Sequence, residues 1–204
     1  MFTGLIEDRG TVTASSGGEI TLSTSLWKEA SPGDSMAVDG SCLTVTGAGD
    51  GSLSFHCSQE TLSKTVVSKY RPGSRVNLER PMLISDRLHG HILTGHVDET
   101  ASVLKVRRSG AGMTAWISYS KDRAELLVPR GSVAVSGISL TIASLDSRCF
   151  SVALIPETLE RTTAGSWAPG SAVNLEYDIL GKYVRRRLDA LLGDIELRRY
   201  LERY

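Results

Sequence analysis

Polar side chains that could carry chemistry recur at a fixed spacing along the chain. A shift of 97 positions places the thiol of Cys42 on the hydroxyl of Ser139, and a shift of 91 places Leu5 on His96. Thiols and hydroxyls are potential nucleophiles, and an imidazole can transfer protons near neutral pH. The polar pairs that keep their residue type are Ser35 with Ser132, Thr44 with Thr141, Glu60 with Glu157 and Thr61 with Thr158. The pattern predicts two related pockets with unequal chemistry, although strand and helix-start preferences also explain some of the pairs.

Three of the four histidines lie close together, namely His89, His91 and His96. On a strand, His89 and His91 would share a face, as two metal ligands can, and His96 could complete a three-histidine site. However, no nearby carboxylate has a convincing ligand register, and His96 stands where the first copy has Leu5. We therefore expect a polar linker with one pocket histidine, and no metal.

The two shifts describe one internal duplication. The shift of 97 holds without a gap over some 45 residues, from 35–45 on 132–142 to 76–79 on 173–176. The shift of 91 aligns 3–7 with 94–98, so the second copy carries six extra residues, which we place between 103 and 132, around the turn at 108–112. We expect two homologous domains, 1–90 and 91–180, followed by a tail, 181–204.

Each copy contains short alternating or β-branched runs separated by glycine-bearing turns, for example 19–23, 43–46 and 75–79. This spacing is typical of a small closed barrel or sandwich, so we predict an all-β fold. Two short helices are expected, one from Pro156 to Arg161 and its equivalent from Gln59 to about Val66. The glycine-rich run at 47–51 lies between two strand-like runs, so we interpret it as a hairpin turn rather than a phosphate-binding loop.

The tail has a different pattern from both copies. Val184, Leu188, Leu191 and Ile195 follow one another at three- or four-residue spacing, with arginines between them, and residues 182–204 carry a net charge of +3. This pattern predicts an amphipathic helix with a coiled-coil-like seam. We expect the helix to mediate oligomerisation, with Gly193 as a candidate break; the alternative is that it packs on its own chain.

The composition excludes several classes of function. The chain has 23 Lys+Arg and 23 Asp+Glu, a formal net charge of +0, which argues against binding to nucleic acid or a membrane surface. No apolar run is long enough to span a bilayer and no signal-peptide pattern occurs, so we expect a cytoplasmic protein. Three cysteines without CxxC spacing predict free thiols. The absence of GxSxG, HExxH and Walker motifs removes the commonest hydrolase, zinc-protease and NTPase classes.

Several stretches together resemble the riboflavin synthase family, and the resemblance covers almost the whole chain. They are residues 1–7, 33–45, 60–62, 76–80, 90–98, 137–141 and 155–163. The resemblance implies two similar six-stranded Greek-key barrels and a homotrimer held partly by C-terminal helices. It also implies a site between the N-terminal barrel of one subunit and the C-terminal barrel of its neighbour.

The reaction implied by the resemblance needs neither metal nor cofactor. Two molecules of 6,7-dimethyl-8-ribityllumazine exchange a four-carbon unit, which gives riboflavin and 5-amino-6-ribitylaminouracil. The C7 methyl group of one lumazine is acidic because its anion delocalises into the ring, and the other lumazine is activated by nucleophilic addition at C7. Holding the two rings together would supply much of the acceleration.

The resemblance also implies catalytic residues. His96, Ser139 and Thr141 are the candidates for polarisation and proton transfer in the C-terminal pocket. Cys42 and Ser35 are the candidates in the N-terminal pocket, where a thiol or a hydroxyl-held water could add to the ring. Asp178 matches a position that supports the family's site.

Substrate contacts are implied for matching segments of the two copies. Those expected in the first barrel are Gly4, Leu5, Ile6, Cys42, Leu43, Thr44, His56, Cys57, Ser58, Gln59, Glu60 and Thr61. Those expected in the second are Gly95, His96, Val97, Ser139, Leu140, Thr141, Leu154, Ile155, Pro156, Glu157, Thr158 and Leu159. Arg130, where the family usually has Lys, would reach across from a neighbouring subunit, and His89 replaces a usual Gly.

Two other functions remain open from the sequence. One is a non-catalytic lumazine- or flavin-binding protein of the same superfamily, such as the antenna proteins of luminous bacteria. Such proteins tend to lose the polar residues of one barrel, whereas this chain keeps Cys42, Thr44, His96, Ser139 and Thr141, so we favour an enzyme. The other is a metal-dependent enzyme that uses the three histidines, which chelation would inactivate.

Overall fold

A computed structural model describes the backbone of residues 1–201 and the side chains of residues 1–193. Its strands form two closed antiparallel barrels of six strands each. The first barrel comprises β1 (Asp8–Ser16), β2 (Glu19–Ser23), β3 (Ser35–Val38), β4 (Ser41–Gly49), β5 (Ser52–His56) and β6 (Arg75–Glu79). The second comprises β7 (Glu99–Ser109), β8 (Gly112–Ser118), β9 (Ser132–Val135), β10 (Ile138–Leu145), β11 (Cys149–Leu154) and β12 (Ala172–Tyr177).

Both barrels have the same strand order. Around the first barrel it is β1-β2-β5-β4-β3-β6, and the second repeats it as β7-β8-β11-β10-β9-β12. Neighbours that are not consecutive in sequence are the feature expected of a Greek key. The predicted all-β fold with two six-stranded barrels is therefore confirmed, while the exact domain boundaries stay a prediction.

Alternation along the strands places one apolar face inside each barrel. In β8, Met113, Ala115 and Ile117 are buried and the residues between them are half-buried. Leu53 and Phe55 in β5 fill the first barrel in the same way. Burying each large apolar side chain contributes about 1.5–3 kcal/mol, so each barrel has a core of its own.

Bulges occur at equivalent places in the two barrels. The register shifts at Val12/Ala14 in β1 and at Val103/Lys105 in β7. It shifts again at Val45/Gly47 in β4 and at Ile142/Ser144 in β10. Because a bulge bends and twists a strand, these paired positions let each sheet close on itself.

The predicted short elements lie where the sequence places them. Helix α1 spans Gln59–Lys64, and helix α2 spans Pro156–Arg161 with proline in its first turn. The glycine-rich run at 47–51 is a hairpin, with β4 ending at Gly49 and a turn at Asp50 and Gly51. The β7–β8 hairpin has strands of 11 and 7 residues against 9 and 5 in β1–β2, so it holds four of the six extra residues.

Two buried asparagines join the barrels through mirrored hydrogen bonds. The side-chain amide of Asn77 donates to the Ser136 carbonyl at 2.9 Å, and that of Asn174 donates to the Asp39 carbonyl at 2.8 Å. Between them the backbones of Gly40 and Gly137 touch: a Cβ on Gly40 would lie 2.7 Å from the Gly137 nitrogen. The duplicated sequence thus folds around an approximate two-fold axis between the barrels.

The tail is one helix, α3 (Ile179–Leu201), that continues through Gly193, so the candidate break at this residue is wrong. Its first turns are attached to the second barrel by Lys182, whose Nζ lies 2.6 Å from an Asp98 carboxylate oxygen. Val184, Leu188 and Leu191 of the predicted seam are 59%, 53% and 45% exposed. These three therefore do not pack on their own chain, whereas the Ile195 side chain and residues 202–204 lie outside the described residues.

Among the helices of the described chain, none is both long enough and apolar enough to cross a membrane.

A buried carboxyl at the barrel interface gives a testable pH dependence. Asp39 accepts hydrogen bonds from the Tyr70 hydroxyl at 2.7 Å and the Asn77 backbone amide at 2.9 Å, but burial raises its pKa from 3.8 to about 6. A folded-state pKa above the unfolded one favours the protonated native form, so this group's contribution to stability is lost as pH rises from about 4 to 6.

We therefore expect Asp39→Asn to become more stable relative to the wild-type protein as pH rises from 4 to 7. At about 1.4 kcal/mol per pKa unit, the change amounts to roughly 1–3 kcal/mol. Urea unfolding across this pH range measures it, with Asp50→Asn as a control because Asp50 also has a positive φ (48° against 45°) but is exposed. A stability difference between Asp39→Asn and wild type that stays constant with pH would contradict the assignment.

Candidate active site

The first residues of each copy lie on the other barrel. Phe2 and Leu93 pair through two backbone hydrogen bonds of 2.8 and 3.0 Å. Beyond this pair, the Gly4 carbonyl accepts from the Ser139 amide at 3.0 Å, and the Gly95 carbonyl accepts from the Cys42 amide at 2.8 Å. The two starting segments, residues 3–7 and 94–98, also bond to their own barrels, through Glu7 to Leu78 and Asp98 to Leu175, so each segment bridges the two barrels.

A buried glutamate holds each starting segment. Glu79 accepts from the Thr3 amide at 2.6 Å and the Thr3 hydroxyl at 2.8 Å, and it also accepts from the Gly4 amide. Glu176 accepts from the amide and hydroxyl of Thr94, both at 2.7 Å, and from the Gly95 amide at 3.1 Å. Burial raises the pKa of Glu79, and the hydrogen bonds from Thr3 and Gly4 oppose that shift.

Each starting segment forms one wall of a cavity on the outside of the barrel of the other copy. The first pocket, a cavity of about 330 Å³, lies between β4, α1 and residues 95–98. Its lining comprises Ser41, Cys42, Ser58, Glu60, Thr61, Lys64, Thr65, Gly95, His96, Val97 and Asp98. The second pocket, of about 640 Å³, lies between β10, α2 and residues 4–7. Its lining comprises Gly4, Leu5, Ile6, Glu7, Leu26, Arg80, Ile138, Ser139, Ile155, Glu157, Thr158, Arg161 and Thr162.

The two linings are related residue by residue. Every one of the eleven residues of the first pocket has its repeat equivalent in the second, which adds only Leu26 and Arg80. The chemistry nevertheless differs where His96 replaces Leu5 and where Ser139 replaces Cys42. The predicted pair of related pockets with unequal side chains is therefore present.

The grouping of the predicted residues needs one correction. Residues 4–6, expected in the first barrel's pocket, line the pocket of Ser139, and residues 95–97 line the pocket of Cys42. His96 therefore lies with Cys42 rather than with Ser139. The repeat identifies equivalent residues, but it does not tell on which barrel a short segment packs.

Several expected contact residues are not in either lining. Leu43, Leu140, Leu154 and Cys57 are buried in the barrel cores, and burial raises the pKa of the Cys57 thiol to about 11. His56 is exposed on the barrel surface, where its Nδ1 lies 2.7 Å from Glu19. Gln59 and Pro156 are exposed in the first turns of α1 and α2, and Leu159 packs on the second core.

Three candidate hydroxyls have different positions. Thr44 and Thr141 are exposed two residues beyond Cys42 and Ser139, and on a strand they therefore share the outward face with them. Ser35 pairs with Thr44 across β3 and β4, but it lines a separate cavity of about 430 Å³ beside Arg80. Ser35 therefore lies outside the pocket of Cys42, with which the sequence analysis grouped it.

Arg130 and Asp178 also lie outside both linings. Arg130 is exposed and has a φ of 67° at the place where the first copy has Gly33, so its conformation is strained for a side chain of this size. Asp178 accepts a hydrogen bond at 2.9 Å from the Leu180 amide at the start of α3. Within one chain, neither side chain forms a pocket wall.

The structure adds charged lining residues that the sequence analysis did not select. Lys64 pairs with Glu60 at 2.8 Å and the equivalent Arg161 pairs with Glu157 at 3.2 Å. The repeat could have identified both, since Lys64 and Arg161 are 97 residues apart and lie one helical turn from a repeated glutamate.

A histidine that the sequence analysis considered only as a metal ligand lies behind the second pocket. The Nδ1 atom of His91 is 2.7 Å from the Ser139 hydroxyl, whereas His96 lines the first pocket. Across the described residues, no group of three or more His, Cys, Asp or Glu side chains could hold a metal ion. Of the three neighbouring histidines, His96 thus lines the first pocket, His91 lies behind the second and His89 lines neither.

Comparison with known proteins matches the duplication. Residues 3–81 and 94–178 fit the family model of the lumazine binding domain. The chain is 42% identical over 195 residues to riboflavin synthase of Mycobacterium tuberculosis, covering 91% of this chain and 97% of that protein. It is 38% identical over 194 residues to riboflavin synthase of Photobacterium phosphoreum, covering 92% of this chain and 89% of that protein.

Solved structures show the same fold. LumP in complex with riboflavin superposes with a TM-score of 0.80 at 23% identity, covering 87% of this chain and 99% of LumP. LumP in complex with 6,7-dimethyl-8-(1'-D-ribityl) lumazine gives a TM-score of 0.77 at 21% identity. With two matched lumazine binding domains and relatives that align over nearly their whole length, the chain belongs to the riboflavin synthase family.

Proposed function

We propose that the protein catalyses the riboflavin synthase reaction, in which two molecules of 6,7-dimethyl-8-ribityllumazine give riboflavin and 5-amino-6-ribitylaminouracil. The observation that carries this proposal is the equivalence of the two pockets, since eleven lining residues of one have repeat equivalents in the other. Two pockets with equivalent linings suit a reaction in which two identical molecules are bound. The relatives named riboflavin synthase and the ligands bound by LumP support the same substrate class.

Because the side chains of the two pockets differ, the two bound molecules can have different roles in the reaction. In the first pocket Cys42 and His96 lie in one lining, so a nucleophile or a held water is close to a group that can transfer a proton. In the second pocket Ser139 supplies a hydroxyl, and Thr141 continues the same strand face. Pocket walls that hold the rings would contribute by proximity, without metal or cofactor.

The active assembly in this proposal is a homotrimer. The exposed apolar residues of α3 offer a surface that a second copy can cover, and burying it would favour association. The first pocket of one subunit would then face the second pocket of its neighbour, and the exposed Arg130 would reach across the boundary. Within one chain each pocket opens to solvent, so a neighbour would also exclude water from the reacting rings.

The purified protein should convert the lumazine into riboflavin in the presence of EDTA and without any added cofactor. Riboflavin absorbance gives the rate, and chromatography should show two lumazine molecules consumed for each riboflavin formed. Tight binding of lumazine without turnover would instead indicate an antenna-type protein, and loss of activity on chelation would indicate a metal enzyme.

A matched pair of variants tests which starting segment lines which pocket. Ile6 and Val97 are repeat equivalents, and each lines only one pocket. Riboflavin should protect the half-exposed thiol of Cys42 from alkylation in the wild-type protein and in Ile6→Trp, because the bulky side chain fills the other pocket. In Val97→Trp the protection that riboflavin gives Cys42 against alkylation should fall at least about fivefold, because the bulky side chain fills the pocket of Cys42 itself.

Peptide mass spectrometry can follow Cys42 apart from Cys57 and Cys149, and circular dichroism can verify that both variants fold. Loss of Cys42 protection in Ile6→Trp but not in Val97→Trp would reverse the assignment of the two segments.

A further inference from the structure

The ion pair between Lys182 and Asp98 joins the base of α3 to a wall of the first pocket. The Lys182 Nζ lies 2.6 Å from an Asp98 carboxylate oxygen, and the two side chains are only 23% and 13% exposed. Among the ion pairs of the described side chains, none is less exposed. Asp98 itself belongs to the lining of the first pocket, together with His96 and Val97. The helix that we expect to join copies of the chain therefore contacts a pocket residue directly.

The second starting segment is held at both of its ends. At its first residue, Glu176 accepts a hydrogen bond from the Thr94 amide at 2.7 Å. At its last residue, one Asp98 carboxylate oxygen accepts from the Tyr177 amide at 2.8 Å and also lies next to Lys182. The residues between these two ends face the first pocket, so their position depends on both attachments. Removing the ammonium group would leave one end of this wall less firmly fixed.

The equivalent attachment of the first starting segment does not involve α3. Glu7 is the repeat equivalent of Asp98, and it lies 2.6 Å from Arg80, which directly follows β6. The position equivalent to Lys182 in the first copy is the uncharged Ser85. The wall of the second pocket, which contains Glu7, is thus held by a cation of its own barrel. The wall of the first pocket is held by a cation of the tail.

Lys182 and the apolar seam lie on different sides of α3. Successive helical residues turn by about 100°, so Lys182 lies about 160° around the helix from Val184. The other exposed seam residues, Leu188 and Leu191, fall on the same side as Val184. One side of the helix can therefore pack against a second copy while the opposite side holds the pocket wall.

Building on the proposed function, we propose that Lys182 is a positioning residue of the first pocket. Through Asp98 it holds the wall that carries His96 into the pocket of Cys42, and it thereby couples the shape of this pocket to α3. Within the described side chains, the pair at the equivalent place in the second pocket lies between Glu7 and Arg80. The coupling therefore acts on one of the two bound molecules and not on the other.

The repeat supplies a matched reporter for each pocket. Cys42 and Ser139 are equivalent, and each lines only one pocket, so a parent protein with Ser139→Cys carries one thiol in both. Riboflavin should protect the two thiols from alkylation. Peptide mass spectrometry measures both positions in the same molecules, so a loss at one pocket can be compared directly with the other.

In this parent, Lys182→Met removes the ammonium group but keeps an unbranched side chain. We expect the riboflavin concentration that half-protects Cys42 to rise about 5- to 20-fold, while the value for the thiol at position 139 stays within about twofold. Lys182→Arg keeps a cation that can pair with Asp98, so both values should stay within about threefold of the parent.

Two controls separate positioning from a general loss of charge or of folding. Arg186→Met removes a charge one turn further along α3, at an exposed residue without an ion pair among the described side chains, and both thiols should keep their protection within about twofold. In an Asp98→Asn background, Lys182→Met should change the protection of Cys42 by less than about twofold further, because the partner charge is already absent. This double variant leaves no carboxylate without its partner, so it also gives an answer if Lys182→Met alone folds poorly.

Equal losses at the two thiols would overturn the proposal, because they would indicate an effect through folding or assembly. Unchanged protection of Cys42 in Lys182→Met, an equal loss in Lys182→Arg, or a full additional loss in the Asp98→Asn background would overturn it as well. A wild-type protein that binds lumazine without turnover would refute the proposed function but not this coupling, since the readout needs only binding. A parent in which riboflavin protects neither thiol would refute both.

Discussion

Two buried carboxylates, Glu79 and Glu176, hold the arrangement on which both pockets depend. Glu79 is the last residue of β6 and Glu176 is the last but one of β12. Each accepts hydrogen bonds from the backbone and hydroxyl of a starting segment. Those segments then bond to the strand that carries Cys42 or Ser139 in the opposite barrel. Since several donors converge on each carboxylate, the cost of burying it is offset, and the segment is held in one position. A pocket wall made by one repeat is thereby fixed to a pocket floor made by the other.

The same backbone frame supports different chemistry in the two pockets. Backbone bonds from Gly4 and Gly95 are equivalent, as are the helices α1 and α2 and their charged pairs. The pockets differ in lining side chains such as Leu5 against His96 and Cys42 against Ser139. Duplication can therefore keep the shape needed for two identical ligands while single residues diverge. The histidine behind Ser139 extends this asymmetry to residues outside the repeat.

Much of the fold and part of the site could be predicted from the sequence. Self-similarity identified the two homologous domains and the equivalence of Cys42 with Ser139, while turn spacing and the position of Pro156 predicted the β-structure and the short helices, because each depends on local pattern or register. The pocket that residues 4–6 and residues 95–97 each line could not be predicted, since it depends on contacts between segments far apart in the chain. His56 and Cys57 lie in matched stretches, but strand alternation turns one to the outer surface and the other into the core. His91 has no repeat equivalent, so only its distance to Ser139 reveals it.

The central claim is that each pocket is formed by both repeats and that both pockets accept the same ring system. A crystal structure of the protein with riboflavin bound tests this most directly. One ring should lie between residues 95–97 and Cys42, and a second ring between residues 4–6 and Ser139. A ring that contacts the residues of one repeat alone, or a second pocket that stays empty at saturating riboflavin, would contradict it.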